Sequence, residues 1–83
     1  MVTREIVIGA YSKAEARPAA MLVQVASRYD SSIYIEQSDK KVNAKSIMGV
    51  MTLEFLKGEK VTAIADGSEE AAAMDEIEKF LVG

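Results

Sequence analysis

The sequence contains no cysteine and no histidine. Without cysteine there can be no disulfide, no thiolate nucleophile and no sulfur-ligated zinc. Without histidine the chain lacks the commonest proton shuttle, the imidazole metal ligand and the side chain that most readily accepts a phosphoryl group on nitrogen. Basic charge is also scarce: 10 Lys and Arg stand against 13 Asp and Glu, a net charge of −3. A phosphate backbone demands clustered cations, so direct binding to nucleic acid is not expected. No apolar run approaches the roughly 20 residues that span a bilayer. No charged segment precedes a cleavable apolar one, and the expected location is cytoplasmic. The five glycines are scattered, which leaves no glycine-rich loop to cradle a phosphate.

What is present is the composition of a folded domain. The chain is 49% hydrophobic and 28% charged, inside the globular range and outside the disordered one. Eighty-three residues suffice for one domain, expected over residues 1–83, which buries only about 60% of its unfolded surface. Each core position therefore matters. Neither an internal repeat nor a linker is visible.

The opening "REIVIGA" is apolar and β-branched and predicts a strand with Ile6 and Ile8 on one face and Val7 on the other. From Pro18 to Tyr29 the spacing of Leu22, Val25, Ala26 and Tyr29 predicts a helix, with Pro18 at its first position. "DSS" at 30 to 32 is turn chemistry, and "IYIEQ" alternates as a second strand with Ile33 and Ile35 inward. "SDKK" predicts a hairpin into a third strand around Lys41 to Ala44. Ser46 precedes "IMGVM", spaced for a helix of one or two turns, in which Val50 and the following Leu53 are core candidates. "EKVTAIAD" predicts a fourth strand with Val61, Ala63 and Ala65 inward. Ser68 is a candidate N-cap for a last helix that has Glu69 and Glu70 in its first turn, the favoured charge sign there, and Met74, Ile77 and Leu81 as its buried stripe. The order β-α-β-β-α-β-α predicts an α+β fold, an antiparallel or mixed sheet with helices on one face.

Two segments carry a family resemblance. "ARPA" at residues 16 to 19 and "KSIMGVM" at 45 to 51, within nearly full-length similarity, resemble the HPr family of the bacterial sugar phosphotransferase system. The resemblance implies an open-faced β-sandwich, a four-stranded antiparallel sheet covered on one face by three helices. It also implies that the second segment is the regulatory serine segment of low-GC Gram-positive members. Phosphocarrier members have a histidine immediately before "ARPA"; here that position is Glu15. A carboxylate cannot form a phosphoramidate, so the relay chemistry is expected to be lost. Lys13 and Ala14 depart from the usual glycine and larger apolar residue just upstream. "KKVNAKSIMG" and "ARPAA" are similar to the catabolite repression HPr-like branch, which keeps the serine and typically carries glutamine where this chain has Glu15.

The candidate sites follow. Ser46 reads from the residues alone as an N-cap; the resemblance adds the reading of a regulatory phosphoserine, whose dianion suits a helix N-terminus. Lys45 beside it is a candidate to balance that charge and to contact a partner. Ile47, Met48 and Met51 form an apolar group that is partly core or partly an adaptable contact surface, and family likeness favours the surface. Arg17 is a solvated first-turn arginine or a partner contact, and Glu15 is a helix-start carboxylate, drift, or a standing imitation of phosphohistidine. Ala20, Met21 and Gln24 complete the candidate partner face. The acidic residues of the last helix read as a solvated face.

The resemblance implies a non-enzymatic regulatory adaptor of carbon catabolite repression with no cofactor and no metal. HPr kinase/phosphorylase would modify Ser46, and the product would act as corepressor for catabolite control protein A, a LacI-type repressor. Two alternatives stay open: a phosphocarrier variant that uses Glu15 as an acyl phosphate acceptor, and a phosphorylation-independent effector of a metabolic enzyme. The exposed edges of a small sheet also permit strand exchange or a homodimer.

Overall fold

The alternating and helical periods of the sequence resolve into four strands and three helices. The computed structural model describes residues 1–9 and 18–83, with side chains from Ala20 onward in the second segment. Chain order is β1 (Val2–Val7), α1 (Pro18–Ser27), β2 (Ser32–Gln37), β3 (Lys40–Asn43), α2 (Ile47–Val50), β4 (Lys60–Asp66) and α3 (Glu70–Val82). The sheet order is β1-β4-β2-β3 and every pairing is antiparallel. The four-stranded antiparallel sheet with three helices expected from the sequence is the fold observed.

Cross-strand partners share a face, and the register puts the β-branched residues of β1 and β2 beside the small residues of β4. Ile6 lies opposite Val61, Ile33 opposite Ala65 and Ile35 opposite Ala63, and all six are buried. Alanines on the central strand leave room for Leu22 and Ala26 of α1 and for Ala73, Met74, Ile77 and Leu81 of α3, which are also buried. Each fully buried Leu or Ile contributes about 1.5–3 kcal/mol. Val50 and Leu53 join this core, as the sequence predicts, while Phe80 and Ala73 are core residues that the helical stripe alone did not single out. The other face of the sheet is polar around a half-buried Tyr34–Ile64 pair, and the Lys41 ammonium stands 5.2 Å above the Tyr34 ring.

One glycine has a steric reason. The Gly9 N–H donates to the Leu81 carbonyl at 3.1 Å, and a Cβ at residue 9 would lie 1.9 Å from the Val82 carbonyl oxygen. The end of α3 thus rests directly on backbone just after β1.

Several boundaries differ from the sequence reading. Ser68 is not the cap of α3: Glu69 occupies that position in the left-handed region at φ 62, and the helix starts at Glu70. This left-handed residue turns the chain between Ser68 and the helix. The Ser68 carbonyl instead accepts the Ser31 hydroxyl, and Glu70 reaches back to accept the Gly67 N–H at 3.1 Å. That bond, with the N-terminal ammonium, holds the Glu70 carboxyl below its usual range. α1 ends at Ser27, and Arg28 and Tyr29 follow in a tighter turn closed onto Val25 and Ala26. β3 runs from Lys40 to Asn43, with Ala44 buried just beyond it. α2 is a single turn with Met51 as its C-cap.

Candidate functional site

The segment "NAKS" fixes how β3 gives way to α2. The Asn43 side-chain oxygen accepts the Lys45 N–H at 2.8 Å, and the Asn43 carbonyl accepts the Ser46 N–H at 3.0 Å. Such Asx geometry ends a strand by giving its backbone a local alternative to the ladder. Ser46 then takes an extended conformation (φ −103, ψ 113) and accepts the Gly49 N–H through its hydroxyl oxygen at 3.4 Å. This is a long N-cap bond, so the hydroxyl is held in place only weakly. A Cβ at Gly49 would lie 3.2 Å from that of Val42; the glycine lets α2 lie close against β3.

Val50, fully buried, and Leu53 anchor this turn to the core, and the turn's other side chains face outward. Ser46 is exposed, and around it Ile47 is 42%, Met51 69% and Met48 78% exposed. On α1, Ala20, Met21 and Gln24 are also exposed. A one-turn helix anchored by one face cannot bury the rest, which resolves the apolar group at 47, 48 and 51 as surface. Glu15 and Arg17 lie outside the described residues.

Lys45, the candidate to balance charge on Ser46, points its ammonium toward α1. It is half-buried, and its ammonium donates to the Tyr29 carbonyl, just past the end of α1, at 2.6 Å. α1 has no basic residue in its own last turn, so Lys45 supplies from another element the positive charge that a helix C-terminus favours. Tyr29 is itself held: its hydroxyl donates to Glu76 at 2.6 Å, and Arg28 donates to the other oxygen of the same carboxylate at 2.6 Å. The Tyr29 hydroxyl, and then Arg28, hold the Glu76 carboxyl below its usual range. Accepting that bond, Glu76 together with burial pushes the Tyr29 phenol up. Sequence reading had placed Tyr29 only on the core stripe and Glu76 only on a solvated face; their separation of 47 residues leaves no local signal of the pairing.

Among the described residues no three His, Cys, Asp or Glu side chains group so as to hold a metal ion, and no helix is long and apolar enough to cross a membrane. Among the described residues, one shallow cleft of about 420 Å³ lies along Asp75, Glu78, Lys79, Val82 and Gly83 of α3, away from Ser46.

This fold, with an exposed serine opening a one-turn helix, defines a class, and comparison with known proteins agrees. The family profile described as "PTS HPr component phosphorylation site" matches residues 2–82. The chain belongs to the HPr family. It is 43% identical over 81 residues to the HPr-like protein Crh of Halalkalibacterium halodurans, a match that covers 98% of this chain and 96% of that one. The crystal structure of HPr-C-His from Thermoanaerobacter tengcongensis matches with a TM-score of 0.86 at 41% identity, covering 98% of this chain and 91% of that one. Crh of Bacillus subtilis, whose crystal structure is described as a swapped, intertwined dimer, matches with a TM-score of 0.72 at 42% identity, over 92% of this chain and 83% of that one.

Proposed function

We propose that this single-domain protein is a non-enzymatic regulatory adaptor of carbon catabolite repression. HPr kinase/phosphorylase modifies Ser46, and the phosphoprotein binds catabolite control protein A as corepressor. The observation that carries this reading is the exposed Ser46 hydroxyl beside the exposed Ile47, Met48 and Met51. Phosphorylation adds a charge of about −1.5 to −2 at the start of a helix, where the backbone N–H groups favour it. The domain can therefore carry the phosphate without refolding, and the change is read on the surface. The side chains of the face offer apolar contact and the phosphate offers charge, a combination suited to a partner that brings cations of its own. Arg17, Ala20, Met21 and Gln24 complete the contact face, and Glu15 fills the phosphohistidine position without phosphocarrier chemistry.

The test is incubation with the kinase and ATP followed by mass spectrometry. One phosphate is expected, on Ser46, with none on the Ser46→Ala variant; phosphate retained by that variant removes the assignment. In the same assay the phosphoenolpyruvate-dependent donor of the transferase system is expected to leave Glu15 unmodified. A homodimer is a second part of this reading, supported by the open β1 and β3 edges of the sheet and by the swapped dimer described for the Bacillus subtilis relative. Light scattering across protein concentration tests it, and a constant monomer mass counts against it.

A further inference from the structure

The side chains of Lys45 and Ser46 are neighbours in sequence but end on different helices. The ammonium of Lys45 sits on the carbonyl that follows α1, whereas the hydroxyl of Ser46 sits at the first turn of α2. From this geometry we infer that Lys45 is a positioning residue that clamps the Ser46 segment to the end of α1, and is not a ligand of a phosphate on Ser46.

Three observations converge. The bond is short, at 2.6 Å, and partly buried, and a charge-assisted hydrogen bond of this kind is stronger than a neutral one. Its acceptor lies just past a helix that lacks a basic residue in its last turn, so the ammonium also meets the negative end of the helix dipole. The acceptor residue is fixed from the far side, because the Tyr29 hydroxyl is bonded to Glu76, which also takes Arg28. Lys45 therefore bridges β3–α2 to α1 while Glu76 bridges α1 to α3. The exposed halves of the contact face, Met21 and Gln24 on α1 and Met48 and Met51 at α2, are thereby held in one relative position. A phosphate on Ser46 is left to the backbone N–H groups of α2 and to a binding partner's cations.

The inference deepens the phosphoserine reading, and its test does not depend on any kinase. Phosphoserine is installed at position 46 by encoded incorporation, in the native background and with Lys45→Met or Lys45→Arg. Two quantities are read at physiological ionic strength: amide exchange at Arg28 and Tyr29, whose N–H groups close the turn after α1, and the second pKa of the phosphoserine by phosphorus NMR. Lys45→Met is expected to speed exchange at both amides about tenfold, the loss of one hydrogen bond to a charged group, with Lys45→Arg recovering much of the protection. The phosphoserine pKa is expected to move by less than about 0.4 in Lys45→Met, the residue of a screened charge that makes no contact. A rise of about 0.4 or more means that Lys45 had bound the phosphate and overturns the inference. Unchanged exchange at Arg28 and Tyr29 overturns it equally.

Discussion

Gly9 and Met48 mark the two extremes of what a single residue does in this domain. At Gly9 the backbone approaches Val82 so closely that a Cβ would fall 1.9 Å from its carbonyl oxygen. Backbone cannot swing aside as a side chain can, so Gly9→Ala must push the end of α3 off the sheet. We expect a loss of about 1–3 kcal/mol, the usual cost of overpacking, read from the urea unfolding midpoint. Met48 is 78% exposed and touches little of the core. Met48→Ala should leave stability within about 0.5 kcal/mol yet weaken binding of the phosphorylated protein to the proposed partner, catabolite control protein A, by about tenfold, the effect of removing an apolar anchor. The urea midpoint checks the first and titration calorimetry on the same samples the second; loss of binding with a matching loss of stability would count against a contact role. Ser46 lies between the two, its cap bond long enough that Ser46→Ala should cost only about 0.5 kcal/mol.

Among the elements, α1 shows how far a sequence can be read. Its start at Pro18 and its buried Leu22 and Ala26 follow from local rules, because a missing N–H is harmless at a first position and apolar spacing marks the inner face. Its end does not follow from them. The turn at Arg28 and Tyr29 is held by Lys45 and Glu76, residues remote in sequence whose types suit a solvated surface equally well. The start of α3 was misread for a related reason: Ser68 is a good cap by type, but Ser31 claims its carbonyl and Glu69 turns left-handed behind it. Strand faces and the exposed serine were legible because alternation and helix starts are local, while the ion pairs that join elements were not.

The same element carries a pH prediction. The Glu76 carboxyl is held below its ordinary value of 4.5, so the unfolded chain takes up its proton first as pH falls. The stabilisation it provides is fully present above that ordinary value and is lost as pH falls through the lower folded value. Glu76→Gln should therefore lower the urea midpoint at pH 7, and the gap to the native protein should narrow as pH falls below that ordinary value. A gap that persists undiminished in acid would mean that Glu76 acts through packing alone.

At the scale of the whole molecule, the register places a strand from near the end of the chain between strands from its beginning and middle. β4 lies between β1 and β2, and among the described residues it is the one strand that pairs with β1. Removing residues 60–83 therefore takes away a central strand and α3 together, and leaves β1 with no partner in the sheet. We expect such a fragment to show no cooperative thermal transition by circular dichroism, since the β2–β3 hairpin that remains is only marginally stable alone.

The position of β4 also sets a timetable. As the chain leaves the ribosome, β1 emerges well before its partner, the strand from Lys60 to Asp66. Synthesis at about 5–20 residues per second leaves β1 waiting for several seconds with Ile6 and Ile8 uncovered, its edge open to any other strand nearby. A protein of this topology can commit β1 to its own sheet only once residues 60–66 have been made, and until then that edge is free to meet any strand that comes near it.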